Sequence, residues 1–150
     1  MSEEALNDHQ KDTIRAALVA EGKKLVGIPY VFGAEWTDFS KKPEALDCSE
    51  LVEGVFHLNG LKMPDGSQAQ YDFCVHSPTP RPGDLAFFGR GGKENQVYHV
   101  GMVFDDHDIL EARAFDPAAS FKTGEVILRD LTKWTGYKNF LGFKSHPKLA

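Results

Sequence analysis

Two hydrophobic patterns divide this sequence, and their separation constrains the fold more than any other feature. In the first half, apolar residues recur every three, four or seven positions, as they do along one side of a helix. In the second half, short runs of aromatic and β-branched residues alternate with clusters of Gly, Asp, Asn and Pro, as in a meander of strands. This order predicts an α+β fold, with N-terminal helices packed on a C-terminal antiparallel β-sheet.

The patterns predict helices and strands at definite positions. The helices are expected at 8–26, 49–58 and 65–73. Gly27 and Pro29 end the first helix, and a loop over 27–46 follows it. Loops of this length often carry function, although the sequence does not show whether 36–42 closes over a cleft. The strands are expected at 85–88, 98–104, 109–115, 126–128 and 140–144.

Length and composition indicate one domain over 1–150. A chain of 150 residues with 41% hydrophobic residues buries a sizeable core without metals or disulfides. Its net charge of -5 and lack of a basic block argue against binding to nucleic acid or to an anionic membrane. No apolar run approaches the roughly 18 residues of a membrane span. Neither HExxH nor a Cys and His cluster at ligand spacing occurs, so we expect no metal and no cofactor.

Cys48 begins the second predicted helix, and Asp47 is positioned to cap it. The apolar period starts just after Cys48 in LDCSELVEGVFHLNG, so the sulfur is expected in the first turn. Backbone N–H groups and the positive end of the helix dipole favour a thiolate there. Free cysteines are often inert and buried, but a polar DCSE start is unfavourable for burial. Cys74, in YDFCVHSP, is expected to be inert, and only the nearby His76 argues against this.

His99 is the strongest candidate for the imidazole that a catalytic thiolate needs. It lies in the predicted strand VYHVGMVF, where strand geometry holds a side chain rigidly and Gly101 leaves the neighbouring backbone unobstructed. The other candidates lie near a terminus, in a turn or late in the cysteine helix: His9, His146, His107 and His57.

Glu111 is the candidate for orienting the imidazole. It lies in an otherwise apolar strand, ILEARAF, where an enclosed carboxylate requires a partner. An odd number of loop residues places His99 and Glu111 on the same face of the hairpin, whereas an even number places Leu110 and Ala112 there. The sequence leaves that parity open. Glu111 is alternatively a solvated charge or an ion-pair partner of Arg113.

Four motifs in order, PYVFGAEW, LDCSELVEGVF, RPGDLAFF and YHVGMVFDDHDILEA, resemble the NlpC-type superfamily of papain-like cysteine peptidases. The resemblance runs from about Pro29 to Lys144 and implies a papain-like fold. It implies that Cys48 is the nucleophile, His99 the general base and Glu111 the orienting residue, a position that is most often a second histidine. A carboxylate there should hold the ring through Nδ1, with Nε2 facing the sulfur.

The resemblance also implies roles for residues around the nucleophile. Tyr30 is expected to donate a hydrogen bond toward the developing oxyanion or the substrate. Asp47 and Ser49 are similar to positions that contact the free amine end of a stem peptide. Glu50 stands where the family often has a small residue, so we expect a bulkier and more acidic rim of the cleft. Asp84 is expected to tie its turn to backbone N–H groups.

The resemblance implies hydrolysis of peptidoglycan stem peptides, at the bond between D-glutamate and a diamino acid, through a thioester. Two other classes stay open: a non-catalytic interaction or phage tail-assembly protein with the same fold, and a cysteine amidase or acyltransferase on a small substrate. The acidic N-terminus lacks the features of a secretory signal. We therefore expect synthesis in the cytoplasm and external delivery to the wall, as a phage lysin, a phage tail component or an injected effector. The oligomeric state stays open.

Overall fold

Helices in the first half of the chain and strands in the second half make up the fold. The computed structural model describes residues 5–114 and 124–150. The helices are α1 (Asp8–Lys23), α2 (Cys48–Leu58), α3 (Ser67–Phe73) and α4 (Leu131–Thr135). The strands are β1 (Val75–His76), β2 (Leu85–Gly89), β3 (Val97–Val103), β4 (Asp108–Ala114), β5 (Gly124–Asp130) and β6 (Phe140–Ser145).

The strands of the described residues form one antiparallel sheet in the order β1-β6-β2-β3-β4-β5. β4 and β5 pair along their whole length. β3 and β4 pair only beside their turn, where Met102 lies opposite Leu110 and Val103 opposite Ile109. The pairing of β3 with β4 therefore ends before it reaches His99.

Alternate strand positions bury side chains on opposite faces of the sheet. Phe87 and Leu110 point into the main core, which α1, α2 and α3 cover. Phe88 and Ile109 point to the other face, where they pack with Trp134 of α4. Burying such a large apolar side chain stabilises the fold by about 1.5–3 kcal/mol. None of the described helices combines the length and apolar character needed to cross a bilayer.

Asp84 ties distant elements together, as the expected structural role requires. It is fully buried, and Oδ2 accepts hydrogen bonds from the backbone N–H of Arg81 and from the hydroxyl of Ser77, each at 2.9 Å. Oδ1 accepts from the hydroxyl of Ser145 at 2.6 Å and from Nη1 of Arg15 at 2.8 Å. This carboxylate therefore joins α1, the turn before β2 and the end of β6.

The predicted α+β order is confirmed, with differences at the ends of elements. α1 ends at Lys23 and not at residue 26, because the chain turns over 24–27 and Gly27 has a φ of 93°. Phe115, the last residue of a predicted strand, lies outside the described residues. The prediction did not include β1 or α4, since elements of two and five residues are too short to show a period.

Candidate active site

Cys48 is the first residue of α2, and Asp47 caps the helix as predicted. Oδ1 of Asp47 accepts a hydrogen bond from the backbone N–H of Glu50 at 2.9 Å. The backbone carbonyl of Asp47 accepts from the N–H of Leu51 at 3.2 Å. The cap begins the helix at the cysteine, so its partly exposed sulfur lies in the first turn, at the positive end of the dipole.

The tertiary fold brings the ring of His99 onto the sulfur of Cys48. The two side chains are hydrogen-bonded, and the side chain of His99 is only 14% exposed. Burial favours the neutral imidazole, but the hydrogen bonds and negative charges of Cys48 and Glu111 outweigh burial. Together they raise the pKa of His99 to about 9. The imidazolium is therefore the prevailing form at neutral pH.

The carboxylate of Glu111 is fully buried and is held by His99, Arg129 and Trp134. Oε1 lies 2.8 Å from Nε2 of His99. Oε2 accepts hydrogen bonds from Nε of Arg129 at 2.7 Å and from Nε1 of Trp134 at 2.6 Å. Burial raises the pKa of Glu111, but the hydrogen bond and charge of His99 and the charge of Arg129 lower it more, so the net shift is downward. Glu111 is thus a buried carboxylate held between two cations.

The odd number of residues between the last facing positions of β3 and β4 places His99 and Glu111 on the same face of the hairpin. Five residues, 104–108, separate the facing pair Val103 and Ile109. That odd number puts Glu111 and His99 on the same side of the hairpin. Of the two alternatives for Glu111, the structure thus shows contact with His99 and not a solvated charge, and its cation partner is Arg129 and not Arg113.

The expected assignment of the imidazole nitrogens was wrong. Nε2 of His99, and not Nδ1, contacts the carboxylate of Glu111. Nδ1 is therefore the ring nitrogen left to face Cys48. Glu111 reaches the ring from β4 and Cys48 reaches it from the start of α2, so the packing of these two elements decides which ring nitrogen each of them meets.

Trp134 fixes the plane of the imidazole. Its ring stacks on His99 with centroids 5.3 Å apart and an interplanar angle of 26°. This approach needs Gly101, because a Cβ there would lie 2.8 Å from Trp134 and 2.7 Å from Ile109. Gly101 thus makes room for the tryptophan that supports the histidine, a more specific role than the open backbone expected from the sequence.

Sequence reasoning missed Arg129 and Trp134. Arg129 lies opposite Ile109 in the β4–β5 register, on the face that carries Glu111, so its guanidinium reaches the carboxylate diagonally. A buried tryptophan generally needs an acceptor for its N–H, which is the one signal that Trp134 offered. Nothing in the local pattern identified Glu111 as that acceptor.

A cleft of about 810 Å³ opens beside the sulfur. Tyr30 lines it and is 9% exposed. Burial and the negative charges of Cys48 and Asp47 raise the pKa of Tyr30 to about 12, so the phenol keeps its proton. The residues that line the cleft include Tyr30, Asp47, Cys48, Arg90, Tyr98, His99, Glu111, Arg113, Lys138 and Asn139.

Asp47 and Ser49, which the resemblance grouped together, occupy different positions. Asp47 lines the cleft beside the sulfur. Ser49 is 7% exposed, and its hydroxyl donates a hydrogen bond to Oδ1 of Asp47 at 3.2 Å. Its backbone carbonyl accepts from Nε2 of Gln70 at 3.0 Å. Ser49 is thus positioned to orient Asp47 from behind.

Glu50 does not extend the rim of the cleft, so that expectation was wrong. Its side chain turns inward, is 6% exposed, and accepts a hydrogen bond from the backbone N–H of Trp36 at 3.0 Å. Oxygen atoms of Glu50, Glu53 and Asp65 lie within 4.8 Å of one another. Burial and the neighbouring acids outweigh the Trp36 hydrogen bond and raise the pKa of Glu50 to about 8. The helical period turns position 50 away from the cleft that Cys48 faces.

We expect Glu50→Gln to stabilise the protein at pH 8 and to have little effect at pH 4. The pKa of Glu50 is raised on folding, so the folded chain binds a proton that the unfolded chain has lost between about pH 4.5 and 8. The wild-type stability therefore falls as pH rises through this range. At pH 8 we expect Glu50→Gln to raise the free energy of unfolding by about 1 kcal/mol, which raises the melting temperature of a domain this size by about 2–4 °C.

Thermal melting across pH 4–8 measures this difference. Glu44→Gln is the matched control, because Glu44 is exposed and loses the same charge. Equal melting temperatures for Glu50→Gln and the parent at pH 8 would contradict the raised pKa.

Cys74 is a core residue. It is 5% exposed, and burial raises the pKa of its thiol to about 12. The nearby His76 lies on the exposed strand β1. The expectation of an inert thiol agrees with this burial.

Comparison with known proteins identifies the family. The family model of NlpC/P60 matches residues 27–128, which include Cys48, His99 and Glu111. The chain belongs to the NlpC/P60 family. Its helices and sheet are those of the papain-like domain of this family, as the resemblance implied. A crystal structure of an NlpC/P60 protein from Bacillus cereus superposes with a TM-score of 0.72 at 22% identity, covering 88% of this chain and 40% of that chain.

Two relatives have names that describe activities. The probable endopeptidase p60 of Listeria grayi is 33% identical over 100 residues, covering 65% of this chain and 18% of that protein. The gamma-DL-glutamyl hydrolase of Bacillus subtilis is 32% identical over 131 residues, covering 85% of this chain and 30% of that protein. The chain thus spans less than a third of either relative.

Proposed function

We propose that this NlpC/P60 domain is a cysteine endopeptidase that hydrolyses peptidoglycan stem peptides. The observation that carries the proposal is the continuous contact from Cys48 through His99 to the buried carboxylate of Glu111, on the wall of a cleft. The p60 endopeptidases and the gamma-DL-glutamyl hydrolase among its relatives support this class of reaction. The proposed bond joins D-glutamate to a diamino acid.

Acylation begins from the ion pair of Cys48 and His99. The thiolate attacks the peptide carbonyl, and the carbonyl oxygen becomes an oxyanion. Backbone N–H groups at the start of α2 and the phenol of Tyr30 are the proposed donors to that oxyanion. His99 then gives its Nδ1 proton to the leaving nitrogen, the C–N bond breaks, and the acyl group stays on sulfur as a thioester.

Deacylation uses the same groups in reverse. Neutral His99 takes a proton from water at Nδ1 while the water oxygen attacks the thioester carbonyl. The C–S bond breaks, the product leaves as a carboxylic acid that then loses its proton to solvent, and the imidazolium again faces a thiolate. Glu111 stays ionised throughout and stabilises the imidazolium without receiving its proton.

Mass spectrometry of digested peptidoglycan tests the proposed bond. We expect the purified protein to release fragments that end at D-glutamate and fragments that begin with the diamino acid. A buried carboxylate that contacts His99 is the arrangement that orients an imidazole in catalytic triads, and this supports an enzyme over a tail-assembly scaffold. Absence of new termini from peptidoglycan, with retained reactivity of Cys48, would instead support an amidase or acyltransferase on a small substrate.

External delivery, as a phage lysin, a tail component or an injected effector, stays a prediction.

A further inference from the structure

The cleft carries opposite charges on its two sides. Asp47 lies on the side of Cys48. Arg90 follows β2, in which Phe88 lies opposite His99. Lys138 precedes Phe140 of β6, which also lies opposite Phe88. Both cations therefore lie on the side of His99, although the whole chain has a net charge of -5. This part of the cleft is positive although the chain as a whole is negative. It should therefore attract anionic groups of a ligand, because a cleft concentrates ligands of the opposite sign.

Tyr98 and Asn139 join the two cations into one wall. The guanidinium carbon of Arg90 lies 5.4 Å from the ring centroid of Tyr98. Nδ2 of Asn139 donates a hydrogen bond to the Tyr98 hydroxyl at 3.3 Å. The backbone N–H of Gly89 donates to the carbonyl of Asn139 at 2.9 Å, and that of Arg90 donates to the carbonyl of Gln96 at 2.9 Å. These bonds hold the Arg90 turn beside the 138–139 turn.

Two further arginines line the cleft, and each has an acidic residue as a neighbour. Arg129 is paired with Glu111 at 2.7 Å. Arg113 lies opposite Glu125 in the β4–β5 register, so Glu125 partly offsets its charge. Arg90 and Lys138 are exposed at the mouth of the cleft, where substrate can reach them.

The proposed mechanism assigns a part of the substrate to this wall. His99 protonates the leaving nitrogen, so the residue that leaves lies on the histidine side of the sulfur. Tyr98 is adjacent to His99 in β3, and Phe88, which precedes Gly89 and Arg90, lies opposite His99 in the β2–β3 register. The wall of Arg90, Tyr98, Lys138 and Asn139 therefore faces the leaving residue.

We propose that this wall is a subsite for a carboxylate on the leaving residue. Arg90 and Lys138 supply positive charge, and the hydroxyl of Tyr98, which accepts from Asn139, donates its own proton to the same group. The inference rests on the proposed peptidase function and adds a preference: a diamino acid with a free carboxylate is cleaved faster than one with a carboxamide.

Two synthetic peptides test the subsite. One is L-alanyl-γ-D-glutamyl-L-lysine with a free C-terminal carboxylate, and the other is its C-terminal carboxamide. We expect the parent to cleave the carboxylate with a kcat/KM about tenfold higher, since charge-assisted hydrogen bonds are the strong ones. The double variant Arg90→Gln with Lys138→Gln should bring the ratio close to one, because cleavage of the carboxylate peptide falls more than cleavage of the carboxamide.

Lys23→Gln is the control variant, because Lys23 is exposed at the end of α1 and outside the cleft. This variant should keep the parent's ratio of kcat/KM for the two peptides. That result would show that the preference depends on the charges in the cleft and not on the total charge of the protein. Equal cleavage of both peptides by the parent would overturn the subsite and leave the peptidase function standing. A double variant whose kcat/KM falls by the same factor for both peptides would also overturn the subsite and leave the peptidase function standing. If the parent cleaves neither peptide nor peptidoglycan, the function fails and the subsite fails with it.

Discussion

Replacing Cys48 with alanine or serine is expected to abolish the release of new amino groups from purified peptidoglycan. Alanine removes the nucleophile. Serine keeps the size of the side chain, but its hydroxyl does not ionise in the range where a thiol does, so His99 faces a neutral group. We expect kcat to fall by a factor on the order of 10⁴ or more, as removal of a nucleophile does in comparable triads.

Cys74→Ala is the matched control for this loss, because Cys74 is the other cysteine and is buried outside the cleft. It should keep full activity and lower the melting temperature slightly, since a small core group is lost. Amino-group release is measured with a colorimetric amine reagent, and circular dichroism confirms that each variant is folded. Full activity in either Cys48 variant would exclude Cys48 as the nucleophile.

Glu111→Gln is expected to lower activity about 10–100-fold at neutral pH and to shift the alkaline limit of activity. The hydrogen bond and negative charge of Glu111 help to raise the pKa of His99 to about 9. Glutamine removes the charge, so the pKa of His99 falls and the imidazolium is lost at a lower pH. The fall of kcat/KM on the alkaline side should therefore begin at least about one pH unit earlier than in the parent.

Arg129→Gln provides a matched comparison, because it also alters the ion pair with Glu111 but keeps the carboxylate on His99. Its alkaline limit should stay at or above that of the parent, since a cation near the imidazolium has been removed. Thermal melting of both variants separates a loss of stability from a change in protonation. A Glu111→Gln enzyme with the parent turnover and pH profile would show that Glu111 does not orient the histidine.

The three candidate catalytic residues were predictable because each stands in a local context that is readable from neighbouring residues. Cys48 precedes an amphipathic period, and Asp47 is a good cap for the helix that follows. His99 and Glu111 lie in short β-type runs on either side of a turn. The resemblance to NlpC-type peptidases joined these three positions, and the family match includes all of them.

The contacts around the candidate catalytic residues were not predictable, because they join residues that are distant in the sequence. Arg129 and Trp134 follow Glu111 by 18 and 23 positions and reach its carboxylate from β5 and α4. Glu50 stands one residue from Ser49 in the same helical turn, but it binds the backbone of Trp36 in the preceding loop. No local period specifies which distant group a polar side chain meets.

The amino-acid sequence alone determined the order of helices and strands, the helix that begins at Cys48, and the candidates His99 and Glu111. These features depend on periodicity, capping and turn residues, which act between near neighbours in the chain. Only the tertiary structure decided that Nε2 of His99 meets Glu111, that Trp134 stacks on the ring, and that Glu50 turns inward. Those outcomes depend on the length of one hairpin loop and on the packing of strands and helices that are distant in sequence.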